Sequence, residues 1–179
     1  MKVVGAGRDK TCILGGGFRI LGDTEEGKKV IVQGLTMKGS RMYGLSGISG
    51  LSFVCDSVTF TQCGWNGIIA KNTKGRLINC VITQCRESGI VCWDNALVEL
   101  EGEQTKVDGN GTSGGSCWYG LKTYDNSSII HLLFPLTKES VSTNNYNGQN
   151  YGTCPYVDGV GVIETVDPFF FTRCGGAQY

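Results

Sequence analysis

A short passage in the middle of the chain occurs twice, 22 residues apart. The letters TQC at residues 61–63 return at residues 83–85, and GI at residues 67–68 returns at residues 89–90. A fixed period of this size is typical of a solenoid, in which each repeat buries its apolar face only against the neighbouring repeats. The period therefore predicts a stack of similar coils.

The repeat continues on both sides of this passage. Gly44 precedes the first GI pair by 23 residues, and Gly120 follows the second by 31 residues, which indicates an insertion of about nine residues. The insertion fits the polar run DGNGTSGGS at residues 108–116 and predicts a loop there. The chain then divides into an incomplete first coil, three regular coils, a coil with this loop, and a last part with a second loop at residues 146–156: residues 1–27, 28–50, 51–75, 76–96, 97–127 and 128–166.

Within a coil, apolar residues alternate with polar ones, which is the pattern of β-strands. Val58 and Phe60 flank Thr59, and Ile68 and Ala70 share a face in the same way. Strands that recur once per coil must stack parallel on their copies. The sequence therefore predicts an all-β fold, a right-handed parallel β-helix with about 22–23 residues per regular coil. Leucine-rich repeats have a similar period, but their leucine and asparagine consensus is missing.

The inward positions of these strands form the predicted core. They are expected to be buried in stacked columns that include Phe60, Ile68, Ile82, Ile90 and Leu121.

The chain has nine cysteines, a large and odd number. Cys80 and Cys92 fall on inward positions, where a thiol behaves as a small apolar group. Cys63 and Cys85 occupy equivalent positions of adjacent coils, close enough for a disulfide if strands stack about 4.8 Å apart. The spacing follows the coil period rather than a disulfide framework, so most cysteines are predicted to be reduced. A zinc site is not expected, since there is no Cys-x2-Cys pair and His131 is the lone histidine.

Four passages resemble sequences of known β-helix proteins. They are residues 4–16 (VGAGRDKTCILGG), 30–39 (VIVQGLTMKG), 98–111 (VELEGEQTKVDGNG) and 128–145 (SIIHLLFPLTKESVSTNN). The chain resembles the right-handed parallel β-helix proteins of the pectin-lyase-like superfamily, and it is similar to uncharacterised β-helix proteins of algae, protists and their large DNA viruses. The resemblance covers most of residues 3–166 and implies a single β-helix domain over residues 1–166. Residues 167–179 are left as a C-terminal cap or docking tail.

In this superfamily, substrates lie along one sheet on the outside of the coils, which directs attention to the strand that begins at each repeated glycine. Its outward residues include Lys71, Trp93 and Tyr124 in one column and Lys122 in the next. Aromatic side chains with neighbouring lysines stack on sugar rings and attract carboxylates. The predicted glycan-binding residues are Trp93, Tyr124, Lys71, Trp65 and Trp118. The alternative is an ordinary sheet surface on which these rings cover a loop.

Asp94 and Asp125 occupy equivalent positions of successive coils. Two carboxylates one coil apart bind calcium or act as an acid and base, with Lys71 and Lys122 as further catalytic candidates. Alternatively, the Asp-Asn pairs form turns, in which a ladder joins the side chains of Asn72, Asn95 and Asn126.

The resemblance to the superfamily does not extend to its catalytic motifs. The NTD, DD and GHG pattern of polygalacturonases is absent, as is the DPHD motif of epimerases. The leading hypothesis is therefore a non-catalytic scaffold or interaction protein that binds glycans or assembles with other chains in a viral particle or at a cell surface. The alternative is a polysaccharide lyase or epimerase acting on acidic polysaccharide. No cofactor is expected, apart from calcium in the enzymatic alternative.

Lysine and arginine together equal aspartate and glutamate, at 16 residues each, so net charge gives no reason to expect nucleic acid binding. No apolar run approaches the roughly 20 residues of a membrane span. No signal peptide is visible, and virion, cytoplasm and cell surface remain open as locations.

An uncapped β-helix exposes unpaired strand edges. Other protein chains, or an N-terminal segment missing from this sequence, are therefore expected at the end of residues 3–13. Residues 169–171 (FFF) are expected to cap the last coil or to dock.

Overall fold

A computed structural model gives the fold of the chain and describes residues 1–23, 28–153 and 159–167. The prediction for residues 169–171, and parts of those for residues 146–156 and for the tail, concern positions outside the described residues. Nineteen strands occur in the described part, and nearly all are three to five residues long. In chain order they are β1 (Lys2–Val4), β2 (Cys12–Leu14), β3 (Phe18–Leu21), β4 (Lys29–Gln33), β5 (Thr36–Lys38), β6 (Leu45–Ile48), β7 (Ser52–Asp56), β8 (Thr59–Thr61), β9 (Ile68–Lys71), β10 (Lys74–Ile78), β11 (Val81–Thr83), β12 (Ile90–Trp93), β13 (Leu97–Glu101), β14 (Lys106–Asp108), β15 (Leu121–Thr123), β16 (Ile129–Leu133), β17 (Ser142–Thr143), β18 (Tyr151–Thr153) and β19 (Val162–Val166).

The strands form three parallel sheets, and each regular coil gives one strand to each sheet. Sheet 1 has the order β1-β4-β7-β10-β13-β16-β19, sheet 2 has β17-β14-β11-β8-β5-β2, and sheet 3 has β18-β15-β12-β9-β6-β3. Every strand pairs with its copy in the next coil, as in Ile68 opposite Ile90 and Ile90 opposite Leu121. The chain is therefore a right-handed parallel β-helix, as the sequence predicts.

The first coil, predicted as incomplete, supplies a strand to all three sheets. The predicted loop after β14 is present, since residues 109–120 contain no strand. The last part of the chain departs more from a simple coil. A four-residue helix, α1 (Lys138–Val141), precedes β17, and a short 3-10 helix occupies Tyr146–Gly148. The loop predicted at residues 146–156 is partly wrong, because Tyr151–Thr153 is strand β18 of sheet 3.

The core runs along the axis of the stack and consists of columns of inward side chains. The predicted core residues Phe60, Ile68, Ile82, Ile90 and Leu121 are all fully buried. Burying an aliphatic side chain of this size contributes about 1.5–3 kcal/mol, so each coil is held to its neighbours mainly by these columns.

In the core, small residues lie beside large ones and leave room for their side chains. Phe53 fills the space that two glycines leave open, since a Cβ at Gly75 would lie 2.3 Å from its ring and one at Gly47 would lie 2.7 Å away. Any side chain at either glycine would therefore displace a buried ring.

The 22-residue period has a local cause at the turn after sheet 2. Gln62 and Gln84 adopt left-handed backbone angles, with φ of 56° at both positions, and their side-chain amides bond each other at 3.1 Å. The following Cys63 and Cys85 then point into the core and are fully buried. The repeated TQC letters thus encode an identical corner in successive coils.

No helix in the described part of the chain is long and apolar enough to cross a membrane.

Candidate functional site

The candidate site lies on the side of sheet 3 that faces away from the core, called here the outer face of sheet 3. The register confirms that Lys71 lies beside Trp93, and that Val91 lies beside Lys122 in the next outward column. Parallel strands are about 4.8 Å apart, so side chains of one column stack directly on each other.

Trp93 and Tyr124 form an aromatic pair on adjacent coils. Their ring centroids are 5.0 Å apart with a tilt of 42° between the planes, and Trp93 is exposed. The ammonium of Lys71 lies 4.3 Å from the centre of the Trp93 ring and 4.0 Å from the Asp94 carboxylate. The structure thus brings three of the five predicted glycan-binding residues into one exposed cluster.

Lys122 is in the predicted outward column, but it is not an exposed cation. Its side chain is only 3% exposed, and its ammonium lies 5.2 Å from the rings of both Trp118 and Tyr124. The loop of residues 109–120 returns over the previous coil, as shown by the bond from the Ser113 N–H to the Arg86 carbonyl, and it carries Trp118. A buried ammonium needs nearby negative potential, which the two rings and an acidic neighbour supply.

That acidic neighbour is Glu87, which the sequence analysis did not single out. Asn66 donates its amide to the Glu87 carboxylate at 3.1 Å. Burial raises the pKa of Glu87, while the Asn66 hydrogen bond, Lys122 and Arg86 act in the opposite direction. The sequence does contain one signal for Glu87, its position in the repeat. Glu87 follows the second TQC passage at the same distance as Trp65 follows the first.

Trp65 belongs to a different part of the surface from Trp93. Its ring packs edge-on against Tyr43, with centroids 5.4 Å apart, and it is 43% exposed. Burial, and secondly the charge of Glu87, raise the pKa of Tyr43, so its hydroxyl stays protonated. The predicted aromatic strip is therefore two clusters, one around Trp93 and one around Trp65.

Asp125 has a structural role in the turn that follows β15. Its carboxylate accepts hydrogen bonds from the Asp94 N–H at 2.7 Å, the Ser127 N–H at 3.0 Å, and the hydroxyls of Ser127 and Ser128 at 2.6 and 2.8 Å. Burial opposes ionisation of this group, but the bonds from Ser127, Asp94 and Ser128 prevail and lower the pKa of Asp125. A carboxylate held in this way is a poor proton donor or acceptor near neutral pH.

Asp94 sits at the corresponding turn of the previous coil, with a left-handed φ of 56°. The asparagine ladder predicted through Asn72, Asn95 and Asn126 is wrong for Asn72. The Asn72 N–H donates to the carbonyl of Trp93, which places Asn72 opposite Asp94 rather than Asn95.

An asparagine pair does stack elsewhere, in the buried column that continues Cys63 and Cys85. The Asn110 amide donates to the Asn145 side-chain oxygen at 3.1 Å, and both residues are buried.

The arrangement of Asp94 and Asp125 does not suit calcium. This ion takes six to eight oxygen ligands, whereas the Asp125 oxygens already accept four hydrogen bonds and Asp94 faces Lys71. Within the described residues, no three side chains of His, Cys, Asp or Glu come together in a way that would hold a metal ion.

The cysteines in the described part of the chain are free thiols. Cys80 and Cys92 are fully buried in the core, as predicted, and burial raises the pKa of the Cys80 thiol to about 12. Cys63 and Cys85 are free thiols, and each donates to the carbonyl two residues earlier, of Thr61 and Thr83 respectively, so the disulfide alternative is wrong for this pair. His131 lies on sheet 1, 3.5 Å from Glu164, and takes no part in the outer face of sheet 3.

A cleft of about 480 Å³ opens at the N-terminal end of the same outer face. It lies over β3 and β6 and the segment that leads into β6, and the sequence analysis did not predict it. Its lining includes two arginines, an exposed methionine and two half-buried aromatic residues. The lining residues are Gly15, Gly17, Phe18, Arg19, Ser40, Arg41, Met42, Tyr43, Ser46 and Ile48.

Comparison with protein-family models, with curated proteins and with solved structures finds no match for this chain. The fold alone defines its class, that of a right-handed parallel β-helix protein.

Proposed function

We propose that this chain is a non-catalytic β-helix scaffold that binds a glycan along the outer face of sheet 3. The observation that carries the proposal is the pair of Trp93 and Tyr124 on adjacent coils, with the Lys71 ammonium against the exposed tryptophan. Aromatic rings on successive coils offer flat apolar surfaces at a regular spacing, and sugar rings stack on such surfaces.

The carboxylates of this surface support binding rather than catalysis. Asp125 is held ionised by its turn, and Asp94 is exposed beside Lys71. General acid-base catalysis favours groups with pKa values near the working pH, and the pKa of Asp125 is shifted away from it, downward.

A titration of the protein against neutral and acidic hexasaccharides tests the proposal, with Trp93→Ala as the informative variant. Leu14→Ala is the matched control, because it also truncates an exposed apolar residue but lies on sheet 2. We expect the wild type and the control to bind alike and Trp93→Ala to lose at least about tenfold in affinity, as for other stacked aromatic residues. Equal affinities for all three proteins would contradict the proposal.

A polysaccharide lyase or epimerase is the second candidate, and the environment of Lys122 favours it. A buried ammonium close to a carboxylate of raised pKa, Glu87, is the type of pair that enzymes use to move protons. In this alternative Lys71, Lys122, Asp94 and Asp125 take part in removing a proton from an acidic sugar. Incubation with pectate and alginate, with and without calcium, would show the absorbance of an unsaturated product, and NMR would detect epimerisation. Turnover abolished by Lys71→Ala would replace the scaffold proposal.

We also infer that other protein chains associate with the end of the stack formed by the first coil. Among the described residues, strands β1, β2 and β3 each pair with a strand on one side only, and the inward residues Val3, Ile13 and Phe18 are half-buried where those of the next coil are buried. Such edges are commonly covered by other strands. This supports a role as a structural component of a particle or cell surface. Light scattering at tens of micromolar is the test, and a monomer at all concentrations would contradict the inference.

A further inference from the structure

The cleft at the N-terminal end of the outer face of sheet 3 is continuous with the glycan surface proposed above. Ile48 on β6 lines the cleft and lies in register with Lys71, which in turn lies beside Trp93, so this outward column joins the cleft to the aromatic pair. The volume of the cleft, about 480 Å³, falls within the range of small-molecule sites. A ligand that lies along the sheet would therefore pass from the aromatic pair into this cleft.

The two arginines of the cleft are free to bind an anion. Arg19 and Arg41 are exposed, and within the described part of the chain neither forms an ion pair with a carboxylate. Arg76 on sheet 1 provides the contrast, since its guanidinium lies 2.8 Å from Glu101 and 4.0 Å from Glu99. A guanidinium binds a carboxylate or sulfate group through paired hydrogen bonds, which a lysine does not match.

The other walls of the cleft suit the ring that carries such an anion. Ile48 and the exposed Met42 supply apolar surface, and the protonated hydroxyl of Tyr43 supplies a hydrogen-bond donor. Gly17 lets the chain approach closely at one side, because a Cβ there would lie 2.1 Å from the Tyr43 carbonyl oxygen. The negative charge of nearby Glu87 is offset by Lys122 and Arg86.

We propose that Arg19 and Arg41 form a subsite for the oxyanion of an acidic sugar, a carboxylate or a sulfate group, at the N-terminal end of the outer face of sheet 3. This inference rests on the proposed glycan binding and adds the chemical class of the glycan. The aromatic pair provides stacking that any sugar can use, whereas the arginines select for negative charge.

Isothermal titration with three hexasaccharides tests the subsite: a galacturonic acid hexamer for carboxylates, a sulfated heparin-derived hexamer for sulfates, and cellohexaose as the neutral probe. The informative variant is Arg19→Gln combined with Arg41→Gln. The matched control is Lys38→Gln combined with Lys74→Gln, which removes the same positive charge from exposed positions on sheets 2 and 1.

We expect the arginine variant to bind at least one acidic hexamer about tenfold or more weakly, with unchanged binding of cellohexaose, and the control to behave as the wild type. Whether the galacturonate or the sulfated hexamer is affected identifies the oxyanion. An equal loss in the arginine variant and the control would overturn the subsite, because only the overall charge would then matter.

The outcomes separate the two proposals. Binding of cellohexaose without any preference for acidic hexamers would overturn the subsite and leave the glycan surface standing. Binding of none of the three hexamers to the wild-type protein would overturn both. Trp93→Ala should weaken all hexamers that bind, which distinguishes stacking from charge recognition.

Discussion

The cations in two parts of the outer face of sheet 3 have different surroundings. In the part formed by β9, β12 and β15, called here the aromatic end although β18 lies beyond it, Lys71 faces Asp94, and Lys122 is buried between aromatic rings. At the end formed by β3 and β6, Arg19 and Arg41 line an open cleft without a carboxylate partner among the described residues. Arg19 and Lys122 occupy the same outward column, yet one is exposed and the other is buried, so equivalent positions of the repeat have different surroundings. We therefore propose stacking for the first part and charge recognition for the second.

The largest expected effect comes from the core beneath the aromatic end. Ile90 is fully buried on the inner face of β12, the strand that carries Trp93, and Ile90→Ala should lower the free energy of unfolding by about 2–5 kcal/mol. Phe18 supports the cleft end but is only half-buried, so Phe18→Ala should cost roughly half of what a buried phenylalanine costs. Urea unfolding measures both. A loss below about 1 kcal/mol for Ile90→Ala would mean that the coil register is wrong.

The next effect concerns the two aspartates at the aromatic end. Asp125→Asn should lower the free energy of unfolding by about 1–2 kcal/mol, since it removes a charged acceptor of four hydrogen bonds. Asp94→Asn is the matched control and should stay within about 0.5 kcal/mol, because Asn tolerates the left-handed backbone of this exposed position. Equal losses for the two variants would show that Asp125 does not anchor its turn.

The same carboxylate predicts a dependence on pH. Because the folded protein lowers the pKa of Asp125, its contribution is complete above the unfolded value of about 3.9 and disappears as the pH falls through the lower folded value. The wild type should therefore lose more stability than Asp125→Asn between about pH 5 and pH 2. Parallel stability curves for the two proteins over this range would contradict the assignment.

The smallest effect distinguishes the two lysines of the aromatic end. Lys71→Ala should weaken binding of an acidic hexasaccharide by about two- to fivefold, the size of an exposed cation–π contact. Lys122→Met keeps the buried apolar stem and should leave the affinity unchanged, because the ammonium is not exposed to a ligand. A larger loss for Lys122→Met than for Lys71→Ala would favour the enzymatic alternative.

The sequence predicts the inside of this protein better than its outside. The columns of Ile68, Ile90 and Leu121 follow from the period and the alternation of apolar residues, since one register alone places them all inward. The outward positions of Lys71, Trp93 and Tyr124 follow from the same register, and the structure brings them together.

What the sequence does not predict depends on contacts between segments without a repeat. Lys122 is buried because the inserted loop places Trp118 over it, and nothing in the repeat specifies where that loop returns. Arg19 and Arg41 lie in the first coil and in a segment between strands, so the cleft appears only once β3 is stacked on β6.

The most direct test of glycan binding on the outer face of sheet 3 follows the three tryptophan indole N–H signals by NMR during titration with an acidic hexasaccharide. Each tryptophan reports on a different place, since Trp93 pairs with Tyr124, Trp118 covers Lys122, and Trp65 packs against Tyr43. We predict a saturable shift that is largest for the Trp93 signal. The Trp93→Ala variant lacks this signal and should keep the signals of the other two tryptophans. A saturable shift confined to Trp65 or Trp118, or no shift at any tryptophan, would contradict it.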